Sequence, residues 1–190
     1  MRIDYLKYLL ILFFASSVYS QNDSIIKWNE NSKLDWSDFK IKKGFDSRKN
    51  RNYIAETSAG FMVEYELNDY YYDNKINVYA VFNKYNSSYS LRTDYLLEHE
   101  QLHFDIVELF ARNLRKEYYE NFKNLDEKSI ISIYKKQKKL LNDYQDLYDS
   151  ETNHSNEKEK QKEWNNKIRN ELLKSKDFSF DNYLSKIDTI

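Results

Sequence analysis

The chain is predicted to fold as an α+β domain, with antiparallel strands first and helices after. Two stretches in the first half, Tyr53 to Leu67 and Ile76 to Phe82, alternate apolar and polar residues with a period of two. From Thr93 onward the apolar residues recur at helical spacing through three segments. Strands followed by helices, without the β-α-β alternation of a parallel sheet, define the class.

The first strand places Tyr53, Ala55, Thr57, Ala59, Phe61, Val63, Tyr65 and Leu67 on one face, with Glu56, Ser58, Glu64 and Glu66 on the other. Ile76, Val78, Ala80 and Phe82 form the inner face of its partner, across a tyrosine-rich connection that begins at Asn68-Asp69. Upstream, Trp36 and Phe39 are candidate core residues, and 40–51 reads as a basic surface loop around Gly44. Thr93 or Asp94 caps a long helix that runs to about Phe122, with Leu96, His99, His103, Ile106 and Phe110 on its inner stripe. A second helix carries Ile130, Ile133, Tyr134, Leu140, Leu141, Tyr144 and Leu147. A linker, 149–155, leads to a third helix, opened by Asn156 with Glu159 and presenting Trp164, Ile168 and Leu172 inward. The charge run 157–163 is that helix's solvated face.

Composition removes several functional classes. The 190 residues are 41% hydrophobic and 32% charged, enough for one domain with its own core. Charges are interspersed and the formal net charge is −1, which leaves no nucleic-acid footprint. Without cysteine, a thiol can be neither nucleophile nor ligand, so any metal must be held by His, Asp or Glu. Residues 1–20 have the form of a secretory signal peptide: Arg2 and Lys7 precede a short apolar run, Tyr8 to Phe14, and Val18 and Ser20 precede a cleavage point before Gln21. The mature domain is then 21–190, secreted or periplasmic, with no membrane association after cleavage.

The segment Leu96-Leu97-Glu98-His99-Glu100-Gln101-Leu102-His103-Phe104 contains H-E-x-x-H. On a helix the two histidines lie one turn apart on one face and can share a zinc ion, while Glu100 stands beside it as a general base. Asp105 and Glu108 project elsewhere at about 100° per residue and read as surface groups, Glu108 pairing with Arg112. The third histidine, His154, is the favoured third ligand because a catalytic zinc typically takes three protein ligands and one water. Glu151 and Asp149 are lesser candidates, and Glu151 could instead orient His154 across one helical turn.

These segments also resemble a known family. The runs HEQLHFDIVELFARNLRKE and YDSETNHSNEKEKQKEWNNKI, with KLDWSDF and AETSAG upstream, look like the bacterial secreted family catalogued as domain of unknown function 922, described as zincin-type zinc-dependent proteases. The resemblance spans about Trp28 to Ile168. It implies a zincin-like fold, zinc on His99 and His103, and Glu100 in catalysis. The extended H-E-x-x-H-x-x-G-x-x-H form is absent, since Ile106 and Leu109 occupy its Gly and third His positions.

The resulting expectation is a zinc metallopeptidase acting on peptide or protein substrates, with an extended peptide pairing along an edge strand from the Ile76–Phe82 region. Two other readings differ in class. Glu100-Gln101-Leu102-His103 and Glu151-Thr152-Asn153-His154 both fit the E-x-x-H repeat of dinuclear carboxylate proteins. Alternatively, a non-catalytic, metal-stabilised binding module could use the tyrosine-rich stretch Asp69 to Asp73.

Overall fold

A computed structural model of the protein describes residues 24–42, 55–68 and 74–190. The signal-peptide segment 1–20, most of the basic loop and the 69–73 tyrosine patch lie outside the described residues. The described strands are β1 (Ile25–Lys27), β2 (Lys40–Ile41), β3 (Ala55–Glu56), β4 (Ala59–Glu66), β5 (Lys75–Asn83) and β6 (Ser88–Tyr89). The helices are α1 (Asp94–Asn121), α2 (Glu127–Thr152), α3 (Lys158–Lys174) and α4 (Phe180–Ile187). The mixed α+β class, strands before helices, is therefore as the sequence predicts. Among the described residues no helix is long and apolar enough to cross a membrane.

Alternation produces the main sheet. Phe61, Val63 and Tyr65 of β4 and Ile76, Val78, Ala80 and Phe82 of β5 are all buried. The two strands pair antiparallel from Ala59 opposite Phe82 to Glu66 opposite Lys75, so both apolar sets face one side. The predicted single strand 53–67 is in fact broken at Thr57-Ser58. Ser58 still accepts from Asn83 N–H (2.7 Å) in the β4–β5 register, but its own N–H turns to Ser87 Oγ (2.9 Å), which ends the ladder there. β3 instead joins a second small sheet in the order β2-β6-β3, with β2 parallel and β3 antiparallel to β6. Phe39 is buried and Trp36 packs against the core.

β5 is the middle strand of the order β1-β5-β4, which corrects its expected role as an edge for substrate. β1 covers Val81 to Asn83. Beyond it, side chains take the place of a strand. Arg115 donates from Nε and a terminal nitrogen to the Val78 carbonyl (3.0 and 2.9 Å), and the Tyr183 hydroxyl donates to the Ile76 carbonyl (2.9 Å).

α1 begins where Thr93 Oγ1 accepts from Leu96 N–H (3.1 Å). It is covered on several sides, by the sheet, α2, α3 and α4. Asp105 and Glu108, expected on the surface, are consequently buried. Asp105 accepts from Trp28 Nε1 and Gln101 Nε2, each at 2.8 Å. Glu108 accepts from Arg112 (2.8 Å), as its spacing predicts, and from Arg115 (2.9 Å). Arg115 is 1% exposed and also donates to the Phe178 carbonyl (3.0 Å). Arg115→Ala should therefore destabilise the fold by about 3–5 kcal/mol, the range for stranding one partner of a buried ion pair. Urea unfolding would measure it, and a shift below ~1 kcal/mol would show that Arg115 does not close the sheet.

α2 starts at a capping box between Asp126 and Ser129 and buries Ile130, Tyr134, Leu141 and Tyr148. Leu140 and Leu147, expected on that apolar side, are 43% and 44% exposed. The helix continues through Thr152, so half of the expected linker is helical. Asn156 does not cap α3; its side chain donates to the Asn153 carbonyl (2.6 Å) instead. Trp164 and Ile168 are buried as predicted.

Candidate metal centre

Helical periodicity aims His99 and His103 from one face of α1 toward the last turns of α2. Their two Nε2 atoms are 3.3 Å apart, and Asp149 Oδ1 on α2 lies 3.2 Å from His99 Nε2 and 3.1 Å from His103 Nε2. His99 is 3% exposed.

Neighbouring amides set the tautomers. Gln161 of α3 donates from Nε2 to Asn165 Oδ1 (2.9 Å), which turns its Oε1 toward His99 Nδ1 (2.8 Å) and the Tyr148 hydroxyl (2.6 Å). An amide oxygen only accepts, so both neighbours donate to it and the His99 proton resides on Nδ1. Gln145 repeats the device on His103: its Nε2 donates to the His103 carbonyl (3.1 Å), leaving Oε1 to accept from His103 Nδ1. Tyr148 also stacks on the His99 ring at 4.7 Å. Both Nε2 lone pairs are thereby directed at Asp149.

Three electron-pair donors at this range repel one another unless a cation lies between them. A tetrahedral ion with bonds of 2.0–2.1 Å would hold its donors roughly 3.3 Å apart, close to the observed spacing. The donor set fits a metal ion, and His99, His103 and Asp149 form a group that could bind one.

Without metal, a proton can serve as the cation. Burial alone would lower the His103 pKa, but its hydrogen bond to Asp149 and the charges of Asp149 and Glu100 outweigh burial and raise it. Burial would raise the Asp149 pKa, but hydrogen bonds to His103 and His99 hold it well below the usual carboxylate range. The raised imidazole contributes stability below its ordinary pKa of about 6.5, lost as pH rises through its folded value. The depressed carboxylate contributes above about 3.9, lost as pH falls through its folded value. Chelator-treated protein should therefore show a falling melting midpoint as pH rises above about 6.5, with added zinc restoring it increasingly. A midpoint flat from pH 6 to 9 in both states would remove the His103–Asp149 linkage.

The expected third ligand is placed differently. Asn153, His154 and Ser155 all take left-handed conformations, with φ of 46°, 49° and 68°, as the chain leaves α2. This turn sets His154 Nδ1 3.9 Å from Asp149 Oδ1, with the side chain 42% exposed, at the rim of the three-atom group and outside it. Asp149, the lesser candidate, is brought in because α2 keeps its helical form there, placing it one turn beyond Gln145. Glu151 accepts from Trp164 Nε1 (2.9 Å) and ties α3 to α2.

Glu100 is where the motif predicts, beside the histidines. It is 3% exposed, and its carboxylate has no hydrogen bond or ion pair to another described residue. Thr57 Oγ1 donates to its backbone carbonyl (3.3 Å). Sequence reasoning missed Gln145, Tyr148 and Gln161. Gln161 alone carried a signal, as an uncharged residue within the run Glu157 to Glu163.

No family model, no curated protein and no solved structure matches the chain.

Proposed function

We propose that the protein is a secreted zinc-dependent metallohydrolase of the peptidase class. The observation that carries this reading is the convergence of His99, His103 and Asp149 on one point, with the buried Glu100, whose charge acts on His103, beside it. Two imidazoles and one carboxylate match a hydrolytic zinc set that keeps a position open. His99, His103 and Asp149 would hold the zinc ion, which would supply Lewis acidity toward a water and a scissile carbonyl.

The chain's own residues do the rest. Gln145 and Gln161 accept from Nδ1–H of the two imidazoles, which leaves Nε2 of each as the atom that would meet a metal beside Asp149. Glu100, buried and uncommitted, accepts a proton from the attacking water and returns it to the leaving amine. Zincin-like architecture, which the resemblance to the domain of unknown function 922 family implies, is part of the same proposal.

Two histidines with one carboxylate also serve non-haem iron, but an adjacent non-ligating glutamate favours hydrolysis. A dinuclear centre would need both E-x-x-H glutamates among the ligands, and neither Glu100 nor Glu151 belongs to the three-residue group. The test is a mixed peptide-library digest by zinc-loaded mature protein beside its Glu100→Gln variant. Cleavage by wild type alone is expected. A zinc-bound wild type that hydrolyses no peptide, amide or ester would overturn the reading.

A further inference from the structure

Lys138 is the one lysine of α2 that is half-buried; the other four are exposed. Lys136 pairs with Glu117 and Lys139 with Asp143. The Lys138 amine has no hydrogen bond or ion pair to any described residue, although the side chain is half-buried. Burial pulls its pKa below the ordinary lysine value, with no opposing charge to offset it. An ammonium so placed lacks a counter-ion among the described residues.

Its location connects it to the candidate centre. At about 100° per residue, Lys138, Gln145 and Asp149 fall on one stripe of α2. β4 runs beside that helix: the Phe61 and Tyr134 rings meet at 6.1 Å, and Tyr65 lies near enough to Glu127 for its charge to join burial in raising the phenol pKa. The two elements run in opposite directions, so β4's beginning lies toward the centre. Lys138 Nζ is 3.6 Å from where a Cβ would sit on Gly60, a space the glycine leaves open. Three residues earlier, Thr57 holds the backbone of Glu100. Among the described residues, β4 pairs only with β5, leaving its other edge for an extended chain.

We infer that Lys138 is a specificity residue: it pairs with a carboxylate of an extended peptide substrate lying between β4 and α2. This rests on the peptidase reading above. Thr57 to Gly60 spans about 10 Å at ~3.3 Å per residue, so the carboxylate lies about three residues from the scissile bond. An acidic side chain and a free C-terminus present the same chemistry there.

The experiment uses octapeptides with Glu or Gln at each position, with free or amidated C-termini. Cleavage is measured for wild type, Lys138→Met and Lys138→Arg, and binding by fluorescence anisotropy to the Glu100→Gln variant with and without Lys138→Met. Wild type should prefer Glu about three residues from the cut by roughly 10-fold or more, the scale of a charged hydrogen bond. Lys138→Met should erase the preference while sparing kcat/KM on the Gln peptide, and Lys138→Arg should restore it. A preference for the free C-terminus at that position would assign the carboxylate to the chain end. Unchanged preference in Lys138→Met would overturn the inference and leave Lys138 as a guard on the β4 edge. Lys138-dependent binding of acidic peptides without any cleavage would sustain it while removing the peptidase reading. Absence of both binding and cleavage would overturn both.

Discussion

Glu100→Gln is expected to lower kcat by about 10²–10⁴, the usual contribution of a positioned general base, while leaving the bound metal in place. Gln keeps the size and one acceptor oxygen but cannot take a proton at neutral pH. Glu100 lies outside the group of His99, His103 and Asp149, so its neutralisation removes no donor. Its charge helps raise the His103 pKa, so losing it weakens only the protonated His103 of the metal-free protein. The fold of the zinc-bound protein should accordingly tolerate the change, with a melting midpoint close to that of wild type. Turnover numbers beside zinc content by elemental analysis would check this. Equal activity in the two proteins would exclude Glu100 as the base, whereas loss of zinc would make it a ligand.

Asp149→Ala should abolish stoichiometric metal binding at neutral pH, and His154→Ala should not. The first removes the only charged donor in a group whose atoms lie 3.1–3.3 Å apart. The second alters a rim side chain that is 42% exposed. Gln145→Leu and Gln161→Leu should fall between, weakening affinity about 10–100-fold as outer-shell changes do, because each releases an imidazole's Nδ1–H. Competition titration against a chelator of known affinity would rank all four. Metal retained by Asp149→Ala but lost by His154→Ala would restore the histidine as third ligand.

Periodicity and capping are local properties, and they carried much of the fold. The alternation in β4 and β5, the Thr93 cap and the buried faces of Trp164 and Ile168 could all be read from neighbours in the chain. So could the shared face of His99 and His103, since spacing along a helix determines direction. The break at Thr57-Ser58 could not, because its cause is Ser87, some thirty residues away. Nor could the burial of Asp105 and Glu108, because the sheet, α2, α3 and α4 close around α1 and Trp28 reaches Asp105 from outside that helix.

The candidate centre divides along the same line. By itself the sequence determined the two histidines, the glutamate between them and the need for a distant third donor. Only the tertiary structure decided that the donor beside them is Asp149, and that Gln145, Tyr148 and Gln161 direct the imidazoles. The physical reason is one turn of helix. Carrying α2 through Thr152 aims Asp149 at the histidines, and the left-handed exit that follows leaves His154 at the rim. Where a helix stops depends on what packs against its last turn, and here that is α3, held by Trp164 on Glu151.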